Sequence, residues 1–140
     1  MHVLYAILLT AALYVDSMTV ELSVPDHVRA GEPVPLTVRA TNRGTTAATL
    51  YLRGRPIAFD VIVTDARGKI VWRRLEGATI SMVLQVRELK PGESLTLEDT
   101  WPQHTNAGAA VEPGVYHLKA QLLTDTEPLE TAPITLRIDR

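Results

Sequence analysis

From Thr19 onward, apolar and polar residues alternate with a period of two, and Gly, Pro, Asn or Asp breaks the pattern at short intervals. Val20, Leu22 and Val24 are separated by Glu21 and Ser23, and Leu36, Val38 and Ala40 by Thr37 and Arg39. The same spacing returns at Leu50 and Leu52, at Leu95 and Leu97, at Tyr116 to Leu122, and at Ile134, Leu136 and Ile138. Side chains of a strand point alternately to opposite faces, so each run describes a strand with one covered face. Turn signals stand between the runs: Ala30-Gly31-Glu32-Pro33, Asn42-Arg43-Gly44, Lys90-Pro91-Gly92 and Glu112-Pro113-Gly114. Ile80, Met82, Leu84 and Val86 alternate as well, and no amphipathic helix is evident after Met18. Short strands at this spacing predict an all-β fold, a β-sandwich or a barrel.

A single domain is expected. The chain has 140 residues, 46% hydrophobic and 21% charged, without a repeat or low-complexity tract. A chain of this size buries roughly two thirds of its unfolded surface, enough for a core without covalent staples. It contains no Cys, which excludes disulfides, thiolate metal sites and a Cys nucleophile. The 14 basic and 16 acidic residues are interspersed, giving a net charge of -2 and no basic patch for nucleic acid.

Residues 1–17 stand apart from the domain expected over 18–140. Val3 to Val15 is an uncharged run of 13 residues, shorter than the roughly 20 needed to span a bilayer. The run suits the apolar part of a secretory signal or anchor, yet only His2 precedes it where a positive charge is usual. A second reading makes Met18 the true start, and a third makes the run a helix or strand of the domain itself. The first implies export or membrane anchoring, the second a cytoplasmic protein.

Residues 58 to 74, A-F-D-V-I-V-T-D-A-R-G-K-I-V-W-R-R, hold the chain's only Phe and one of its two Trp residues. Asp65-Ala66-Arg67-Gly68 suits a hairpin loop with Gly68 in the left-handed region. Pairing Thr64 with Lys69 puts Val63 opposite Ile70 and Val61 opposite Trp72. Phe59, Val61, Val63, Ile70 and Trp72 then share one face, and Asp60 stands opposite Arg73 on the other. Phe59 and Trp72 are therefore assigned to the core rather than to a ligand surface. Further on, Pro113-Gly114 followed by Tyr116 at a strand start predicts a tyrosine corner, in which the hydroxyl bonds the backbone just upstream.

In order, G-E-P-V-P-L-T-V-R-A-T-N (31 to 42), F-D-V-I-V-T-D-A-R-G-K-I-V-W-R (59 to 73), L-K-P-G-E-S (89 to 94), Trp101 and P-G-V-Y-H-L (113 to 118) resemble the BsuPI family of intracellular proteinase inhibitors. The resemblance implies an immunoglobulin-like binding module, without enzymatic activity or cofactor, whose partner is a subtilisin-type serine protease. Inhibitors of this kind present a loop on a rigid scaffold and bury roughly 800 Å² on each partner. Two segments are long enough to serve. The preferred one is Arg74, Leu75, Glu76, Gly77, Ala78 and Thr79, where Leu75 offers an apolar side chain to a substrate pocket. Pro102 to Glu112 is the other.

Enzyme chemistry has little support. His2, His27, His104 and His117 lack metal-ligand spacing. Ser94, His117 and Asp99 form a triad only on paper, with neither a nucleophile elbow nor an oxyanion loop. The alternative to an inhibitor is a structural or adhesive immunoglobulin-like module of an exported protein. A carbohydrate-binding sandwich would need exposed aromatics such as Trp101 or Tyr51, and Trp101 is expected to cap the core.

Overall fold

The computed structural model describes residues 17–140, so the apolar run of residues 3–15 lies outside the described residues. Eleven strands follow in chain order: β1 (Met18–Ser23), β2 (His27–Arg29), β3 (Val34–Asn42), β4 (Ala48–Arg53), β5 (Phe59–Thr64) and β6 (Ile70–Arg73). They continue with β7 (Leu84–Leu89), β8 (Ser94–Trp101), β9 (Gly114–Leu122), β10 (Leu129–Glu130) and β11 (Ile134–Asp139). Among the described residues there is no helix, and therefore none long and apolar enough to cross a membrane.

One layer has the order β2-β11-β9-β5-β6, with β10 on the flank of β9. All its pairings are antiparallel except β2 with β11. The other layer is β1-β3-β8, and β4-β7 forms a separate two-stranded sheet tied to the end of β3 at Asn42. At the junction Asn42 N–H donates to Glu93 O and Gly92 N–H to Asn42 O, while the fully buried Asn42 amide reaches Thr46 O and Leu89 O. The result is an all-β sandwich of immunoglobulin-like type.

Alternation becomes packing as expected. Val34, Leu36, Val38 and Ala40 of β3 face Val61 and Val63 of β5, Leu118, Ala120 and Leu122 of β9, and Leu136 and Ile138 of β11 in one buried cluster. Trp101, fully buried, joins the layers. Its ring centroid lies 5.9 Å from that of Tyr116 and 6.0 Å from that of Trp72, and its Nε1–H donates to His104 O at 2.9 Å. Edge and offset contacts at these separations are favourable beyond simple burial.

The β5-β6 hairpin departs from the expected register. Trp72 stands opposite Val63 rather than Val61, and Thr64 pairs with Ile70, with a bulge between them. The cause lies in the turn. The Asp65 carboxylate accepts from Arg67 N–H at 2.9 Å and from Lys69 N–H at 3.0 Å, while Asp65 N–H donates to Lys69 O. Lys69 is thereby drawn into the loop, and the ladder absorbs one extra residue as a bulge. Gly68 sits at φ 83°, where only Gly avoids strain. Trp72 stays on the core face, whereas Ile70 turns to the other side and is 50% exposed. Arg73 pairs with Ile62 but reaches Asp60 diagonally along the same face.

Tyr116 donates its hydroxyl proton to Glu112 O, closing the chain over Pro113 and Gly114. Tyr116→Phe is expected to cost about 1 to 3 kcal/mol in urea unfolding, because a partly buried acceptor loses its donor. Burial, then Asp65 and Glu112, raises the Tyr116 pKa above its ordinary 10.0. The folded state therefore holds this proton more tightly than the unfolded state does. That contribution is complete below pH 10.0 and is lost as pH rises through the folded-state value. In the Phe variant this alkaline loss should disappear from the stability-pH curve.

Candidate functional site

Two carboxylates organise the segment that follows β6. Asp60, buried on β5, accepts from Arg73 Nε at 3.0 Å, Arg73 Nη2 at 2.8 Å and the Leu75 N–H at 3.0 Å. Asp99 on β8 receives Arg74 Nε. The Arg74 guanidinium also lies 3.8 Å from the centroid of the Phe59 ring and donates through Nη1 to Phe59 O at 2.7 Å. Its backbone N–H reaches Val61 O at 3.0 Å. Arg74 thus spans both layers of the sandwich, from β5 to β8, and charge-assisted bonds of this kind are the stronger ones.

Beyond this clamp the chain turns sharply. Glu76 N–H donates to Arg73 O and Ala78 N–H to Leu75 O, with Gly77 at φ 71°. Glu76, Gly77, Ala78 and Thr79 are exposed, whereas Arg74 and Leu75 are half-buried. Leu75 lines an open groove of about 370 Å³ with Asp60, Arg73, Ile80, Gln121 and Leu123. The segment is a turn on a fixed stem, with Leu75 turned toward the body of the domain.

The second loop is fastened differently. Gln103, buried at φ 60°, donates through its amide to Arg29 O and Glu32 O at 2.7 Å each and accepts from Gly31 N–H. Asn106 accepts from Arg73 N–H at 2.8 Å and donates to Arg73 O at 3.0 Å, like a one-residue strand on the free edge of β6. Bonds of Thr105 with Gly108 and Ala109 close the tip. Neither Gln103 nor Asn106 carries a local sequence signal, because their partners lie 33 to 74 residues away.

The residues weighed for enzyme chemistry are not brought together. Ser94 Oγ bonds Thr41 Oγ1, Asp99 holds Arg74, and His117 Nδ1 lies 3.3 Å from Thr135 Oγ1 in the other layer. Among the described residues, no group of three or more His, Asp or Glu is placed to hold a metal ion.

No curated protein matches the chain. Among solved structures it is similar to Spo0M, the sporulation control protein of Bacillus subtilis, with a TM-score of 0.50 at 12% identity over 89% of this chain and 50% of that one. It is also similar to dimeric latent PorU from Porphyromonas gingivalis, with a TM-score of 0.51 at 13% identity over 87% of this chain and 9% of that one. A β-glucosidase from Listeria innocua in complex with glucose aligns at TM-score 0.48 and 13% identity over 88% of this chain. The chain spans only 16% of that enzyme's length. Likenesses at such identities concern the fold alone. The decisive match is a family model, described as an intracellular proteinase inhibitor, over residues 18–127. It covers both Asp60 and the Arg74 clamp, and it describes inhibitors rather than enzymes. The chain belongs to the BsuPI family.

Proposed function

We propose that this module holds a proteinase of the subtilisin-type serine class through the segment Arg74, Leu75, Glu76, Gly77, Ala78 and Thr79. The observation that supports this is the clamp beneath the segment: Asp60 holds Arg73 and Leu75, and Arg74 is fixed to Phe59, Val61 and Asp99. A loop ordered before binding loses little entropy on binding, so more of the contact energy appears as affinity. Arg74 and Leu75 act as the stem in this reading. Glu76 to Thr79 form the contact tip, with the groove beside Leu75 open to a side chain of the enzyme. The scaffold has no disulfide, so rigidity rests on these bonds and on the core.

The test is binding of the full chain to a subtilisin-type proteinase whose nucleophile has been removed, followed by calorimetry. Ala78→Trp adds bulk at an exposed tip position without touching the clamp. It should weaken binding by about tenfold or more, roughly 1.4 kcal/mol, with an unchanged melting temperature. Unchanged affinity in this variant would remove the segment from the interface. Absence of binding by the parent chain would remove the proteinase.

A further inference from the structure

We propose that β7 is a self-pairing edge, through which two copies of this chain join their β4-β7 ribbons into one antiparallel sheet. The inference does not depend on the proteinase reading.

The outer side of β4-β7 carries an apolar cluster beside Thr49, Arg53 and Glu88. Tyr51 stands opposite Val86, and they are 47% and 61% exposed. Leu84 is 45% exposed and Met82 86%. Such a cluster on a strand edge marks either an interaction surface or an aggregation hazard.

Backbone directions follow from one bond. Gly54 N–H donates to Val83 O at 2.9 Å, and the β4-β7 register continues through Arg53 with Leu84 and Leu52 with Gln85. Bonded and non-bonded pairs alternate in an antiparallel ladder, so Gln85, Arg87 and Leu89 face β4 with their backbone groups. Leu84, Val86 and Glu88 direct theirs away from it, and among the described residues β7 pairs with β4 alone.

Other edges are guarded. Asn106 covers β6, β2 has three residues, β8 carries Glu98 and Asp99, and β1 carries Glu21. The far side of β4 is occupied by Leu123 to Asp125, bonded to Arg53 and Tyr51. The Leu84-Gln85-Val86 half of β7 carries no charge, and among the described residues no strand covers its outer edge.

The sequence of that edge fits its own two-fold copy. A two-fold axis perpendicular to the sheet sets one residue of β7 opposite itself. Centred on Arg87, it would bring two guanidinium groups together. Centred on Val86, it would set Leu84 against the Glu88 carboxylate. Centred on Gln85, it sets Leu84 against Val86 on both sides of the axis, and each such pair exchanges its two outward backbone bonds. Rows of Tyr51, Val86 and the copy's Leu84 then run across the joined sheet. Of these three registers, only the last sets apolar against apolar on the outer face at Leu84 and Val86, with Gln85 opposite its own copy.

Sedimentation velocity on the full chain, at about 1 to 200 µM, should show a concentration-dependent dimer. Val86→Pro removes an N–H that points to the copy rather than to β4, so the fold is retained and the dissociation constant should rise by about tenfold or more. Leu84→Lys with Val86→Lys places like charges opposite one another at exposed positions and provides a second variant if the Pro variant misfolds. The chain has no Cys, so Gln85→Cys reports register directly: it should form an intermolecular disulfide under mild oxidation, and Val86→Cys should not. A chain monomeric throughout, a dimer that survives whichever of these interface variants folds, or a disulfide at Val86→Cys instead of Gln85→Cys would overturn the proposal.

Discussion

Trp101→Ala is expected to cost about 3 to 5 kcal/mol of stability, the largest effect of any single substitution considered. Trp101 is fully buried at the end of β8 and meets Trp72 and Tyr116 on either side, so truncation opens a void between the layers. It also leaves His104 O without its indole donor at the start of the second loop. Little nearby can collapse into the space, because both ring neighbours are fixed from elsewhere, Tyr116 by Glu112 O and Trp72 by the hairpin ladder. Urea unfolding followed by Trp fluorescence would measure the loss. A cost under about 1 kcal/mol would mean that Trp101 does not hold the layers together.

Asp60→Ala is expected to cost about 2 to 3 kcal/mol. The carboxylate is 5% exposed and holds two bonds from Arg73 and one from Leu75 N–H, whereas the Arg73 side chain is 39% exposed. Water recovers much of the guanidinium once its partner is gone, so the loss falls below that for a wholly buried ion pair. The more informative consequence is local. Leu75 N–H is left without its acceptor, and the stem of the 74–79 segment should open to hydrogen exchange well before the core does. Exchange measured residue by residue on the variant and the parent would separate the two effects. Protection at Leu75 unchanged in the variant would show that Asp60 does not fix the stem.

How far the sequence foretells this structure depends on the range of the interaction involved. Strands β1, β3, β9 and β11 follow from alternation alone, because Leu22, Leu36, Leu118 and Leu136 need only a covered face. Periodicity does not say whether that face is covered. The alternation from Ile80 through Val86 has the same form, yet Met82, Leu84 and Val86 meet solvent. The hairpin register failed for a local reason, since one side-chain acceptor at Asp65 outweighed the ideal pairing of Thr64 with Lys69. The sequence puts Arg74 in a loop without showing what holds it there, because its partners on Phe59 and Asp99 lie 15 and 25 residues away. Gln103 and Asn106 were equally hidden, because a polar residue in a loop reads the same whether it meets water or a distant carbonyl.

Under the proposed role, in which the clamp presents Glu76 to Thr79 to a proteinase, inhibition is the direct readout. The full chain, titrated into a subtilisin-type proteinase acting on a small chromogenic substrate, should slow the reaction at micromolar or lower concentration, equivalent to roughly -8 kcal/mol or better. Asp60→Ala, folded but loosened at the stem, should inhibit less well than the parent. A parent chain that is digested without delay while the chromogenic reaction proceeds at its full rate would rule out the inhibitory role.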